Sequence, residues 1–116
     1  MQVTIYHNPK CAKSRDTLKL LEARGIEPTI IEYLKTPPSQ TELAGLIKLL
    51  GIEPRALLRV KEPEYKHAGL ANPKLSDFAI LQAMIKYPKL IERPIVVAGR
   101  KAALGRPPKD VLKILK

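Results

Sequence analysis

Apolar residues recur along this chain in two rhythms. Val3 and Ile5 alternate with polar neighbours over residues 2–6, the period of a short strand. Residues 7–10, His-Asn-Pro-Lys, read as a loop. From 12 to 24 the spacing turns helical, with Leu18 and Leu21 on one stripe and Leu20 beside it, and Gly25 can supply the left-handed residue that stops the helix. Residues 28–33 predict a second strand. After Pro37-Pro38, Ser39-Gln40-Thr41-Glu42 has the form of a capping box. The helix it opens carries Leu43, Leu46, Ile47 and Leu50 at helical spacing and stops at Gly51. Gly-Ile-Glu-Pro occurs at 25–28 and again at 51–54, each time as a helix stop rather than as a sign of duplication.

The second half continues with one or two helical turns over 54–60, containing Arg55 and Arg59, and a helix from Ser76 that turns Leu81, Met84 and Ile85 inward. Residues 94–97 and 102–104 predict two strands joined by a turn at Gly99-Arg100. Pro107-Pro108 opens a last helix with Val111, Leu112 and Leu115 on one face. The order is β-α-β, a helical stretch, then β-β-α. It predicts an α/β chain of thioredoxin-like type, a mixed sheet flanked by helices. Residues 1–116 would form one domain, with a helical insertion over about 36–90.

Composition narrows the function. A chain of 116 residues that is 45% apolar can bury a modest core without disulfides or metals. No apolar run approaches the roughly 18 residues of a membrane span, and the N-terminus is too short and polar for a signal peptide. A soluble, cytoplasmic protein is expected. One cysteine allows no internal disulfide, so disulfide chemistry requires an outside thiol. Cys11, the two histidines and the carboxylates show no metal-ligand spacing, and no metal is expected. The net charge of +10 suggests anionic ligands, or simply a solvated basic surface. Aromatics are 4% and the basic residues are dispersed, so nucleic acid is a poor candidate partner, and no membrane partner is expected.

Cys11 lies between the Pro-containing loop and the first helical turn. Free N–H groups and the helix dipole there favour an anion, a thiolate included. The competing reading is a buried cysteine acting as a small apolar filler, against which Lys10, Ala12, Lys13 and Ser14 argue. The same helix start can hold a tetrahedral oxyanion. Ser14 occupies the place of the second cysteine in dithiol enzymes of this fold. Its hydroxyl can donate to a thiolate or an oxyanion, or merely cap the helix. His7 can help polarise the site, a solvated loop histidine being the simpler reading.

His7-Asn8-Pro9-Lys10-Cys11-Ala12-Lys13-Ser14-Arg15, Arg55-Ala56-Leu57-Leu58-Arg59, Glu92-Arg93-Pro94-Ile95-Val96-Val97 and Gly105-Arg106-Pro107-Pro108 together resemble the glutaredoxin-coupled arsenate reductase family. The resemblance runs over nearly the whole chain, and the strand pair around Gly99-Arg100-Lys101 looks closer to the YfgD-type relatives. It implies a thioredoxin-like fold in which Cys11 attacks arsenate, glutathione displaces the reduced arsenic as co-substrate, and glutaredoxin clears the mixed disulfide. No bound cofactor is implied. Arg59, Arg93 and Arg106 match the family's oxyanion-binding arginines, and His7 and Ser14 match residues flanking the nucleophile. The resemblance also implies a cis bond at Arg93-Pro94 and three arginines converging beside Cys11. Planar guanidinium groups suit such an oxyanion better than lysine point charges. Ala12 departs from the pattern, which has Gly after the nucleophile. Two alternatives remain: a glutathione-dependent thiol reductase of another substrate, and a regulatory adaptor of the Spx type, which shares the fold and the Arg-Pro-Ile stretch but carries a Cys-x-x-Cys pair where this chain has Ser14.

Overall fold

Strand β1 (Val3–His7) buries Val3, Ile5 and His7 on one face, as its alternation requires. The computed structural model describes residues 2–115. β2 (Thr29–Glu32) pairs with β1 in parallel, with Ile5 opposite Ile30 and His7 opposite Glu32. A parallel pair needs a crossover, and α1 (Ala12–Ala23) provides it. β3 (Ile95–Ala98) lies antiparallel on the other side of β1, and β4 (Lys101–Leu104) is antiparallel to β3, giving the order β2-β1-β3-β4. Gly99 takes φ 62° in the two-residue turn between β3 and β4, the left-handed geometry such turns need. This mixed sheet with its crossover helix is a thioredoxin-like α/β fold.

The chain divides into two compact units, one made of the residues up to Thr36 with those from Arg93 onward, the other Pro37–Glu92. In the sheet unit, Val3, Ile5, Leu21, Val96, Ala98 and Val111 form the core, with Leu18, Leu20, Ile26, Ala103, Ile114 and Leu115 packed around it. Each fully buried aliphatic side chain there contributes about 1.5–3 kcal/mol. α1 ends as its sequence predicts: Gly25 has φ 74°, and the N–H groups of Gly25 and Ile26 return to the carbonyls of Glu22 and Leu21. The last segment differs from expectation. Pro108–Ile114 is a 3₁₀ helix, not an α-helix. With three residues per turn, Val111 and Ile114 align on the core side, and Leu112 does not join them. The Arg93-Pro94 and Arg106-Pro107 peptides are both cis.

The helical unit contains α2 (Gln40–Leu50), a 3₁₀ turn at Pro54–Leu57, α3 (Pro63–His67), α4 (Asp77–Lys86) and a 3₁₀ turn at Pro88–Leu90. α4 packs against α2 and against both 3₁₀ turns. Leu43, Leu46, Ile47, Ile80, Leu81 and Met84 are buried; Ile80 was not expected inside, and Ile85 is only half-buried. The short helix α3 was also unforeseen, because five residues are too few to show a period. Arg55 holds the loop that follows it, donating to the carbonyls of Leu70 (2.8 Å) and Asn72. Among the described residues no helix is long and apolar enough to cross a membrane.

Candidate active site

Cys11 is the N-cap residue of α1, with extended backbone (φ −97°, ψ 124°). Its N–H donates to the Asn8 carbonyl and its own carbonyl accepts from Arg15 N–H, both at 3.0 Å. The side chain makes no capping hydrogen bond, and the first turn of α1 holds no acidic residue. The thiol is free of any disulfide and half-buried. The loop before it is held firmly. Asn8 Oδ1 accepts from Lys10 N–H at 3.0 Å, and Arg15 Nη1 donates to the Pro9 carbonyl at 3.0 Å.

Ser14 does not cap the helix. It lies inside α1, fully buried, and its Oγ accepts from Asn8 N–H at 3.0 Å. The same oxygen is 2.7 Å from His7 Nδ1. His7 is therefore no solvated loop residue; it ends β1 and is 6% exposed. Burial pushes its pKa below the usual 6.5, Glu32 opposes that shift, and Arg15 adds to it. The imidazole is thus neutral near pH 7. With its proton on Nε2, His7 accepts the Ser14 hydroxyl proton. With its proton on Nδ1, it donates to Ser14 and leaves that hydroxyl free for another acceptor. Strand alternation would have revealed the burial of His7, since it follows Val3 and Ile5 at a period of two.

Two of the three arginines belong to the same unit as Cys11. Arg93 precedes the cis-proline Pro94 at the entry to β3, and Arg106 follows Gly105 at the exit of β4. Gly105 N–H donates to the Pro94 carbonyl at 3.0 Å, and Arg106 Nη1 donates to the Arg93 carbonyl at 3.3 Å. Arg93 Nε and Nη1 are shielded from solvent, which strengthens a guanidinium's pull on an anion. Arg59 belongs to the helical unit. Its Nη1 lies 3.0 Å from Glu62 Oε2 and its Nε 3.7 Å from Glu92 Oε1, while its N–H donates to the Leu90 carbonyl. Sequence reasoning passed over Asn8 and Thr17. Ser14, Thr17 and Leu21 are the buried face of α1, and their spacing of three and four was the available signal. Among the described residues no three His, Cys, Asp or Glu side chains are grouped to hold a metal ion.

The sheet unit is a thioredoxin-like fold with one cysteine at an open helix start and an arginine before each of its two cis-prolines. The chain matches the ArsC family over residues 6–114 and belongs to it. It is 53% identical to the uncharacterized protein YfgD of Escherichia coli (strain K12), over 98% of this chain and 97% of that protein. It is 46% identical to an arsenate reductase of Neisseria meningitidis serogroup B, over 98% of both. Among solved structures, an arsenate reductase from Vibrio cholerae is similar with TM-score 0.96 and 56% identity, over 98% of each chain.

Proposed function

We propose that the protein is an arsenate reductase that draws its electrons from glutathione and is recycled by glutaredoxin in the reducing cytoplasm. The observation that carries this reading is the open N-terminus of α1. Cys11 stands where a side-chain cap would be, and the first-turn N–H groups are left for an anion. Arg93 and Arg106 supply bidentate donors, and full-length relatives named arsenate reductase support the substrate.

In this mechanism the Cys11 thiolate attacks arsenic and expels one oxygen as hydroxide or water, forming a thiol–arsenate adduct. Glutathione then attacks the Cys11 sulfur. The arsenic–sulfur bond breaks, its electron pair stays on arsenic, and arsenite leaves. The two electrons come from the two thiols, which end as a Cys11–glutathione disulfide. Glutaredoxin takes the glutathione and restores Cys11. Arg93 and Arg106 hold the oxyanion and stabilise charge as the adduct forms. Arg59, the third arginine of the family resemblance, is ion-paired within the helical unit to Glu62 and Glu92. Ser14 and His7 fix the loop that presents Cys11.

The test is arsenate-dependent NADPH oxidation with glutathione, glutaredoxin and glutathione reductase supplied. Turnover that needs both arsenate and Cys11 is expected. No arsenate dependence, with turnover on a glutathione mixed disulfide instead, would replace this reading with that of a general thiol reductase.

A further inference from the structure

Gly105 does not need glycine for its backbone, since it is absent from the positive-φ residues. It needs glycine for space. A Cβ at this position would collide with Thr17 Oγ1 and lie 2.8 Å from Pro94 Cγ and 3.2 Å from Thr17 Cγ2. At every other glycine a Cβ would meet nothing within 4 Å. Thr17 cannot readily turn aside. It is fully buried, β-branched, and donates from Oγ1 to the Lys13 carbonyl at 2.8 Å. Pro94 is held by its ring, and its carbonyl accepts the Gly105 N–H.

We propose that Gly105 is a positioning residue for the oxyanion site: its missing side chain sets the spacing between the Cys11 helix and the two arginine-bearing corners. The inference rests on the reading of Cys11, Arg93 and Arg106 as that site. Three pieces meet at Gly105. Thr17 belongs to α1, whose cap is Cys11, and lies one turn beyond Ser14 on the same buried face. Pro94 is bonded to Arg93, and Gly105 to Arg106. Arg106 in turn reaches back to the Arg93 carbonyl. A methyl group inserted here must push the exit of β4 away from α1, carrying Arg106 with it and leaving Cys11 in place. A displacement of about an ångström in such a site costs up to two orders of magnitude in effective alignment.

The experiment measures protection of Cys11 from iodoacetamide by arsenate, and by sulfate as an unreactive analogue. Gly105→Ala should raise the half-protecting concentration about tenfold. Labelling without oxyanion should stay near the wild-type rate. Thr17→Ala should change protection little, and Thr17→Ala with Gly105→Ala should recover most of the loss, because Thr17 supplies two of the three close atoms. Val111→Ala, a core change in the same unit, is the control for a merely structural loss of stability. Three results overturn the proposal. The first is a shift in Gly105→Ala no larger than in Val111→Ala at matched thermal loss. The second is strict additivity of the Gly105 and Thr17 changes. The third is wild-type protein that no oxyanion protects, which removes the site reading itself and is thereby distinguishable from the other two.

Discussion

Two helices of this chain begin in opposite ways. α2 starts on Ser39, whose Oγ accepts the Glu42 N–H at 3.1 Å while the Glu42 carboxylate accepts the Ser39 N–H at 2.9 Å. α4 follows the same plan with Ser76, which accepts from Ala79 N–H at 3.1 Å, and Asp77 in its first turn. α1 starts on Cys11, with no cap bond and no acidic residue to meet its dipole. The contrast has a physical reason. A side-chain cap uses the same N–H groups that an incoming anion would need, so one helix start cannot serve both ends. The helical unit closes the starts of its two longer helices, α2 and α4, and gains stability. The sheet unit leaves the start of α1 open, where N–H groups can receive an anion.

Closing the open start should separate the two properties. Cys11→Ser removes the thiolate on which the proposed mechanism depends, and arsenate turnover should fall by roughly a thousandfold or more. The serine also offers α1 the cap it lacks, on backbone already extended, so the protein should become more stable by about 0.5–1 kcal/mol. Activity assay and thermal melting on one variant check both. A variant that is inactive and less stable would show that Cys11 holds α1 in some other way.

Away from the helix starts the two units should behave alike. Leu21 of α1 and Leu43 of α2 are both fully buried, and either change to Ala should cost about 2–5 kcal/mol in denaturant melts. A much smaller loss for Leu21 would mean that the sheet unit is packed more loosely than its burial suggests.

Opening a closed start gives the next effect in size. Ser39→Ala should cost about 1 kcal/mol and leave arsenate turnover unchanged, since its whole role is the cap. The Ser39 backbone N–H, and then its hydroxyl, hold the Glu42 pKa below the usual 4.5. That contribution is present above pH 4.5 and is lost as pH falls through the folded value, so the Ser39→Ala deficit should shrink in acid.

The smallest effect concerns His7. Its folded pKa lies below 6.5 through burial, so below pH 6.5 the unfolded chain binds more protons than the folded one. Stability is unaffected well above 6.5 and declines as pH drops beneath it, until folded His7 itself titrates. His7→Gln should flatten the melting temperature between pH 7 and 5 relative to wild type. An unchanged slope would locate the acid sensitivity elsewhere.

Much of this was legible in the chain. The strand at Val3 and Ile5, both Gly-Ile-Glu-Pro helix stops and the capping box at Ser39 depend on neighbours within a few residues, and local patterns report them. Cys11 at a helix start was readable for the same reason. The sequence missed α3, which is too short for a period, and misjudged the last segment, where packing of Val111 and Ile114 against the sheet prevails over the α pattern.

The residues around Cys11 mark the boundary most clearly. Sequence alone determined which residue is the nucleophile candidate, which helix bears it and that any disulfide it forms needs an outside thiol, because one cysteine and one helix start are local facts. Only the tertiary structure decided that His7 is buried against Ser14 rather than solvated, that Arg106 reaches the Arg93 carbonyl across thirteen positions, and that Gly105 must lack a side chain. Each of these depends on atoms that meet only once the sheet has paired and α1 has packed on it, and no short-range pattern records distances between elements remote in sequence.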